Sequence, residues 1–122
     1  MKQMKIEVKR TNVEGFDAYA LAKSSKGVKA SDYTEMPFTL EKYVESKNTI
    51  TDVDTGEVET MTCLTIVATD GTVIGTNSPT FINAFFDLLD AFSDFGIDFS
   101  SRQLVISKGQ GKRGTFNTIN VL

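Results

Sequence analysis

Three cations, several glycines and an aromatic fall together near the C-terminus, in Lys108-Gly-Gln-Gly-Lys-Arg-Gly-Thr-Phe116. Lys108, Lys112 and Arg113 can neutralise phosphates. The glycines let a polymer backbone approach without interference from a Cβ, and Phe116 offers a face for base stacking. A cationic groove with a few aromatic platforms is what single-stranded nucleic acid requires of a protein surface. The same residues also suit a solvated hairpin tip whose lysines discourage edge pairing. The run is not a Walker loop, which needs a longer spacer before its Gly-Lys-Ser/Thr and a helix afterwards. Here only Gln110 separates Gly109 from Gly111-Lys112, Arg113 follows, and a strand pattern comes next.

A second candidate lies in the first third of the chain. Lys23, Lys26 and Lys29 are evenly spaced through a small, flexible stretch (Ser24–Ser31), with Tyr33 just beyond. Such a loop can fold over a bound strand, or it can simply be solvated. Among the remaining aromatics, Tyr19 is the better surface platform. Tyr43 is flanked by Glu41 and Glu45, which would repel a phosphate chain, and Phe38 suits the interior.

Charge is sorted along the chain in the same sense. Residues 1–30 carry seven Lys/Arg against three Asp/Glu, residues 31–100 two against thirteen, and residues 101–122 four against none, for a net charge of −3. If both basic ends fold onto one face, they form a positive surface on an acidic body, which fits a polyanion held at a defined place.

Other chemistries are poorly supplied. The chain has no histidine and one cysteine, Cys63. Histidine-dependent nucleophilic catalysis, zinc sites built on His or several Cys, and internal disulfides are therefore excluded. Asp87, Asp90 and Asp94 recur on one helical face, which reads as a solvent stripe because one helix face seldom supplies enough converging metal ligands. Asp52-Val-Asp54-Thr-Gly56 begins like a calcium loop but lacks the later acceptors and reads as a turn. No cofactor, metal or catalytic set is expected, and the chain reads as a non-enzyme. Its start, MKQMKIEVKR, has no apolar signal core and no segment is apolar enough to span a membrane, so a cytoplasmic protein is expected, in the host cell if phage-encoded.

The elements that must position these groups are clearest from residue 38 onward. Phe38 to about Val53 and Glu57–Thr69 read as strands around an Asp54-Thr55-Gly56 turn, the first bent or interrupted near Lys47-Asn48. Asp70-Gly71 turns the chain into a short strand at Thr72–Thr76. A helix follows, capped at Asn77 or Ser78, opened by Pro79 and stopped by Gly96, with five phenylalanines directed mostly inward. Gln103–Lys108 and Thr115–Val121 close the chain as a hairpin. Before residue 38, Met4–Lys9 alternates like a strand and Asp17–Lys23 fits strand or helix. The expected fold is mainly β: one domain with residues 1–38 as an N-terminal extension and 39–122 as an OB-like five-stranded antiparallel barrel, its one apolar helix between strands 3 and 4. An antiparallel α+β sheet with the helix on its face is the rival.

Two stretches, Thr69-Asp-Gly-Thr-Val-Ile-Gly-Thr-Asn-Ser-Pro-Thr-Phe81 and Leu104-Val-Ile-Ser-Lys-Gly-Gln-Gly-Lys-Arg-Gly-Thr-Phe116, give the second half of the chain the look of small phage-type single-stranded-DNA-binding proteins with an OB-fold. The resemblance implies non-catalytic, largely sequence-independent binding during replication or recombination, with RNA as a second ligand class. It is compatible with a homo-oligomer and with replication or recombination partners. Bacterial relatives usually end in an acidic tail with a terminal Phe, whereas this sequence ends Asn-Val-Leu122. A different function class is a protein-interaction or inhibitor module that presents Asp52, Asp54, Glu57 and Glu59.

Overall fold

The computed structural model describes residues 1–23 and 27–122. Strand β1 (Lys2–Thr11) leads to helix α1 (Phe16–Lys23), then a two-residue strand β2 (Val28–Lys29). β3 (Leu40–Asp52), β4 (Val58–Ala68) and β5 (Val73–Thr76) form a meander, followed by helix α2 (Pro79–Asp94) and the hairpin β6 (Leu104–Gly111) and β7 (Gly114–Val121). From β3 onward this is the expected order. β3 runs without a break at Lys47-Asn48; its irregularity lies between Leu40 and Lys42 instead.

Five strands make one mixed sheet in the order β1-β3-β4-β5-β2, in which β2 is parallel to β5 and the other neighbours are antiparallel. The segment before residue 38 thus supplies both edges of the sheet. β6 and β7 form a separate two-stranded sheet. Two isolated bridges join it to the rest, Phe38 to Leu104 antiparallel and Thr34 to Ile106 parallel. Phe38 N donates to Leu104 O at 2.9 Å and Leu104 N returns to Phe38 O at 2.7 Å. The protein is β-rich, but among the described residues the sheet does not close into the expected barrel. Closure fails because β2 already occupies the outer edge of β5, so β7 has no partner there. Nor is the sheet wholly antiparallel, and α1 is a second helix, packed through Ala18 and Ala22 on Val44.

Helix α2 forms where the local signals put it. Ser78 caps it, its Oγ accepting from Phe81 N at 3.4 Å, and Gly96 ends it at φ +66°. Phe81, Ile82, Phe85, Phe86 and Phe92 are buried against Leu40, Leu64, Ile66, Ile74, Leu104, Ile106 and Ile119. Burial of such side chains stabilises by roughly 1.5–3 kcal/mol each. The fifth phenylalanine, Phe95, lies past the last helical turn and is 81% exposed. Asn83, Asp87, Asp90 and Asp94 are all exposed, as an amphipathic stripe requires. No helix among the described residues is long and apolar enough to cross a membrane.

Candidate nucleic-acid interface

Register decides which charged residues meet. Val44, Thr65 and Gly75 lie side by side across β3, β4 and β5, so the side chains of Val44 and Thr65 share one face of the sheet and Gly75 leaves that face bare at β5. Helix α1 covers β1 and β3 on that face. Beside it, over β4 and β5, lies an open hollow of about 560 Å³. Cys63 and Thr65 of β4, Lys29, Ser31 and Asn117 of β7 are among its lining residues. Lys108 is the direct cross-strand partner of Asn117, so it sits on the same face of the hairpin.

The hairpin turns tightly. Gly111 pairs with Gly114, which leaves Lys112-Arg113 as a two-residue turn instead of the broader glycine-rich connection the sequence suggested. All three hairpin cations are exposed. Phe116 pairs with Gly109 on the other hairpin face and is 38% exposed. A second hollow, about 440 Å³, adjoins it and is lined also by Thr80, Lys112 and Arg113.

Neither hollow beside the hairpin has a carboxylate in its lining. Three others on the molecule each do: Asp98 in one, Asp90 in another, and Asp52, Glu57 and Glu59 in the third. On a protein of net charge −3, the hairpin therefore borders two hollows whose own side chains, among the described residues, do not repel an anion.

The remaining candidates fall in different settings. Lys29 reaches the first hollow, and Lys26 lies outside the described residues. Tyr19 is half-exposed on α1, 5.6 Å from the exposed Phe16 ring, with Lys23 Nζ 6.0 Å from its own ring centre. Phe16 was not picked out from the sequence, because one aromatic at a helix start carries no periodic signal. Tyr33 is half-buried, packs against the main core and meets Phe38 edge-on at 6.1 Å. Tyr43 packs edge-on against Phe85 and Phe86.

The cations of β1 do not join this surface. β1 is the edge strand opposite β2, and two of its four cations, Lys9 and Arg10, pair with carboxylates. Lys9 Nζ meets Glu7 at 3.0 Å, Arg10 meets Glu45 at 2.8 Å, and the Met1 ammonium meets Asp54 at 2.8 Å. The basic N-terminal segment is thus divided between the two edges of the sheet.

Cys63 Sγ accepts a weak hydrogen bond from Asn48 Nδ2 at 3.5 Å, and burial raises the thiol pKa above its ordinary 9.0. A thiol shifted in that direction is a poor nucleophile at neutral pH. No group of three or more metal-ligating side chains occurs among the described residues. The architecture therefore offers charge, open polar surface and aromatic faces. No family model, curated protein or solved structure matches the chain.

Proposed function

We propose that this protein binds single-stranded nucleic acid, DNA in the first instance, without catalysing a reaction on it. The observation that carries this is the pair of carboxylate-free hollows bordered by a hairpin bearing Lys108, Lys112 and Arg113. In this arrangement Lys29 and Lys108 neutralise phosphates along the first hollow. Lys112 and Arg113 do so at the hairpin tip, and Tyr19 and Phe116 offer stacking faces. Affinity comes from charge and stacking, both nearly indifferent to base sequence.

An open OB-type framework is the fold we infer for this function. The order β3-β4-β5-α2-β6-β7 supports it, as does the bridge from Phe38, just before β3, to Leu104 of β6. In such folds the ligand lies across a sheet face beside the connecting loops, and the larger hollow takes lining residues from β4 and β5. A role in phage replication or recombination, in the host cytoplasm, follows from the same proposal.

Titration with poly(dT) at several salt concentrations tests it. The expected result is binding whose logarithm falls with the logarithm of salt at about 0.7 per phosphate contact. A gel shift with matched single- and double-stranded oligonucleotides should favour the single strand. Absence of binding, or affinity indifferent to salt, rejects it.

A further inference from the structure

We propose that the bound strand does not stay on one side of the β6–β7 hairpin but crosses its tip, placing a base on Phe116. This rests on the single-strand reading above and adds a path to it.

Alternation along the hairpin gives it two chemically different faces. Ile106 and Ile119 are a buried cross-strand pair and define the inner face. The Lys108–Asn117 pair is two residues further along both strands and keeps that face, where Asn117 borders the larger hollow. The Gly109–Phe116 pair, one step on, points the opposite way. A phosphate chain held only in the larger hollow therefore leaves Phe116 behind the hairpin, out of reach.

Phe116 is nevertheless built as a platform. Its ring lies on the backbone of Gly109, where a Cβ would collide with ring atom Cζ. A Cβ on Gly111 would stand 3.4 Å from ring atoms Cδ1 and Cε1. The bare Cα of Gly109 thus lets the ring lie down on the ladder instead of standing away from it, and at Gly111 a Cβ would make only ordinary contact. One ring face is covered by glycine backbone, and the 38% exposure belongs to the remainder, beside the hollow lined by Thr80, Lys112 and Arg113. A ring held in this way loses little further rotamer freedom when a base stacks on it. Lys112 and Arg113 are the two turn residues between the faces, placed to hold the phosphates of a strand passing from one hollow to the other.

The path makes the contribution of Phe116 depend on ligand length and on bases. The test compares the wild-type chain with Phe116→Ala and Phe116→Trp, using anisotropy with a ladder of oligo(dT) lengths and matched abasic oligomers. The chain has no tryptophan, so the introduced indole is a unique fluorophore. Phe116→Ala should bind the longer oligo(dT) about tenfold or more weaker than wild type. It should match wild type on the shortest oligomers that still bind and on the abasic series. Saturating long oligo(dT) should quench the emission of Phe116→Trp. Equal binding of wild type and Phe116→Ala at every length overturns the crossing while leaving single-strand binding intact. So does Phe116→Trp emission that saturating oligo(dT) leaves unchanged, and this readout alone decides if Phe116→Ala fails to fold. No binding by wild type at all rejects the underlying function and the path with it.

Discussion

Arg10 lies over the ring of Phe86, its guanidinium carbon 3.5 Å from the ring centre. In the same pose Arg10 Nε donates to Glu45 Oε1 at 2.8 Å and Nη2 to Oε2 at 3.3 Å. One side chain near the end of β1 thus ties the edge strand to β3 and to α2. Glu45 is 8% exposed and depends on this fork. The hydrogen bond to Glu45 raises the Arg10 pKa further above its already high ordinary value, so the guanidinium stays charged across the working pH range.

Arg10→Ala removes the fork, the ring contact and the partner of a nearly buried carboxylate. It should lower stability by about 1–3 kcal/mol in urea unfolding. Arg10→Lys keeps the charge but not the planar fork and should recover only part of that. A loss confined to a few tenths of a kcal/mol would show that β1 is held by its ladder alone.

Neutralising the hairpin cations separates electrostatic from stacking contributions. Lys108→Ala, Lys112→Ala and Arg113→Ala should each flatten the salt dependence of poly(dT) binding by about 0.7 in the log–log slope. Phe116→Ala should leave the slope unchanged. Slopes from titrations at several salt concentrations check both statements.

The acidic tip of the β3–β4 hairpin distinguishes nucleic-acid binding from a protein-interaction module. Asp52, Asp54, Glu57 and Glu59 lie at or beside this turn, and no described residue of the β6–β7 hairpin lines the hollow that holds Asp52, Glu57 and Glu59. Glu57→Lys with Glu59→Lys should leave oligo(dT) affinity equal to wild type or stronger, measured by anisotropy. A loss of tenfold or more would assign the recognition surface to this tip.

Cys63 reports on the larger hollow. Its raised pKa makes alkylation by iodoacetamide slow at neutral pH and faster as pH rises. Because the residue lines the hollow, saturating oligo(dT) should slow the reaction further at constant pH. Unchanged labelling, followed by mass spectrometry, would place the ligand elsewhere.

Asp98 should contribute stability that disappears in acid. Its carboxylate accepts from Ser100 N at 2.9 Å and from Ser100 Oγ at 2.8 Å, and the backbone bond is the main reason its pKa lies below the ordinary 3.8. A depressed folded-state pKa stabilises fully above the unfolded value and loses that effect as pH falls through the folded one. The stability gap between wild type and Asp98→Ala should therefore be constant near neutrality and close below about pH 3.8. Denaturant melts across that range measure it.

The sequence by itself determined the run of elements from β3 to β7. Their signals are local: two-residue alternation, an Asp-Gly turn, Ser78 and Pro79 opening α2, and Gly96 closing it. It also picked out Lys108, Lys112, Arg113 and Phe116, because they cluster within one hairpin. Asp17–Lys23 stayed ambiguous, since a short alanine-rich stretch has little periodicity of its own; packing of Ala18 and Ala22 on Val44 goes with the helix. Only the tertiary structure decided that two residues, Val28 and Lys29, pair in parallel with β5, bring Lys29 to the larger hollow and occupy the edge a barrel would need. It also decided that the lysines of β1 stay on the opposite edge, and that Phe116 and Lys108 face opposite ways around one hairpin. Those outcomes depend on hydrogen bonds and contacts between residues distant in the chain, and near-neighbour residue patterns do not encode them.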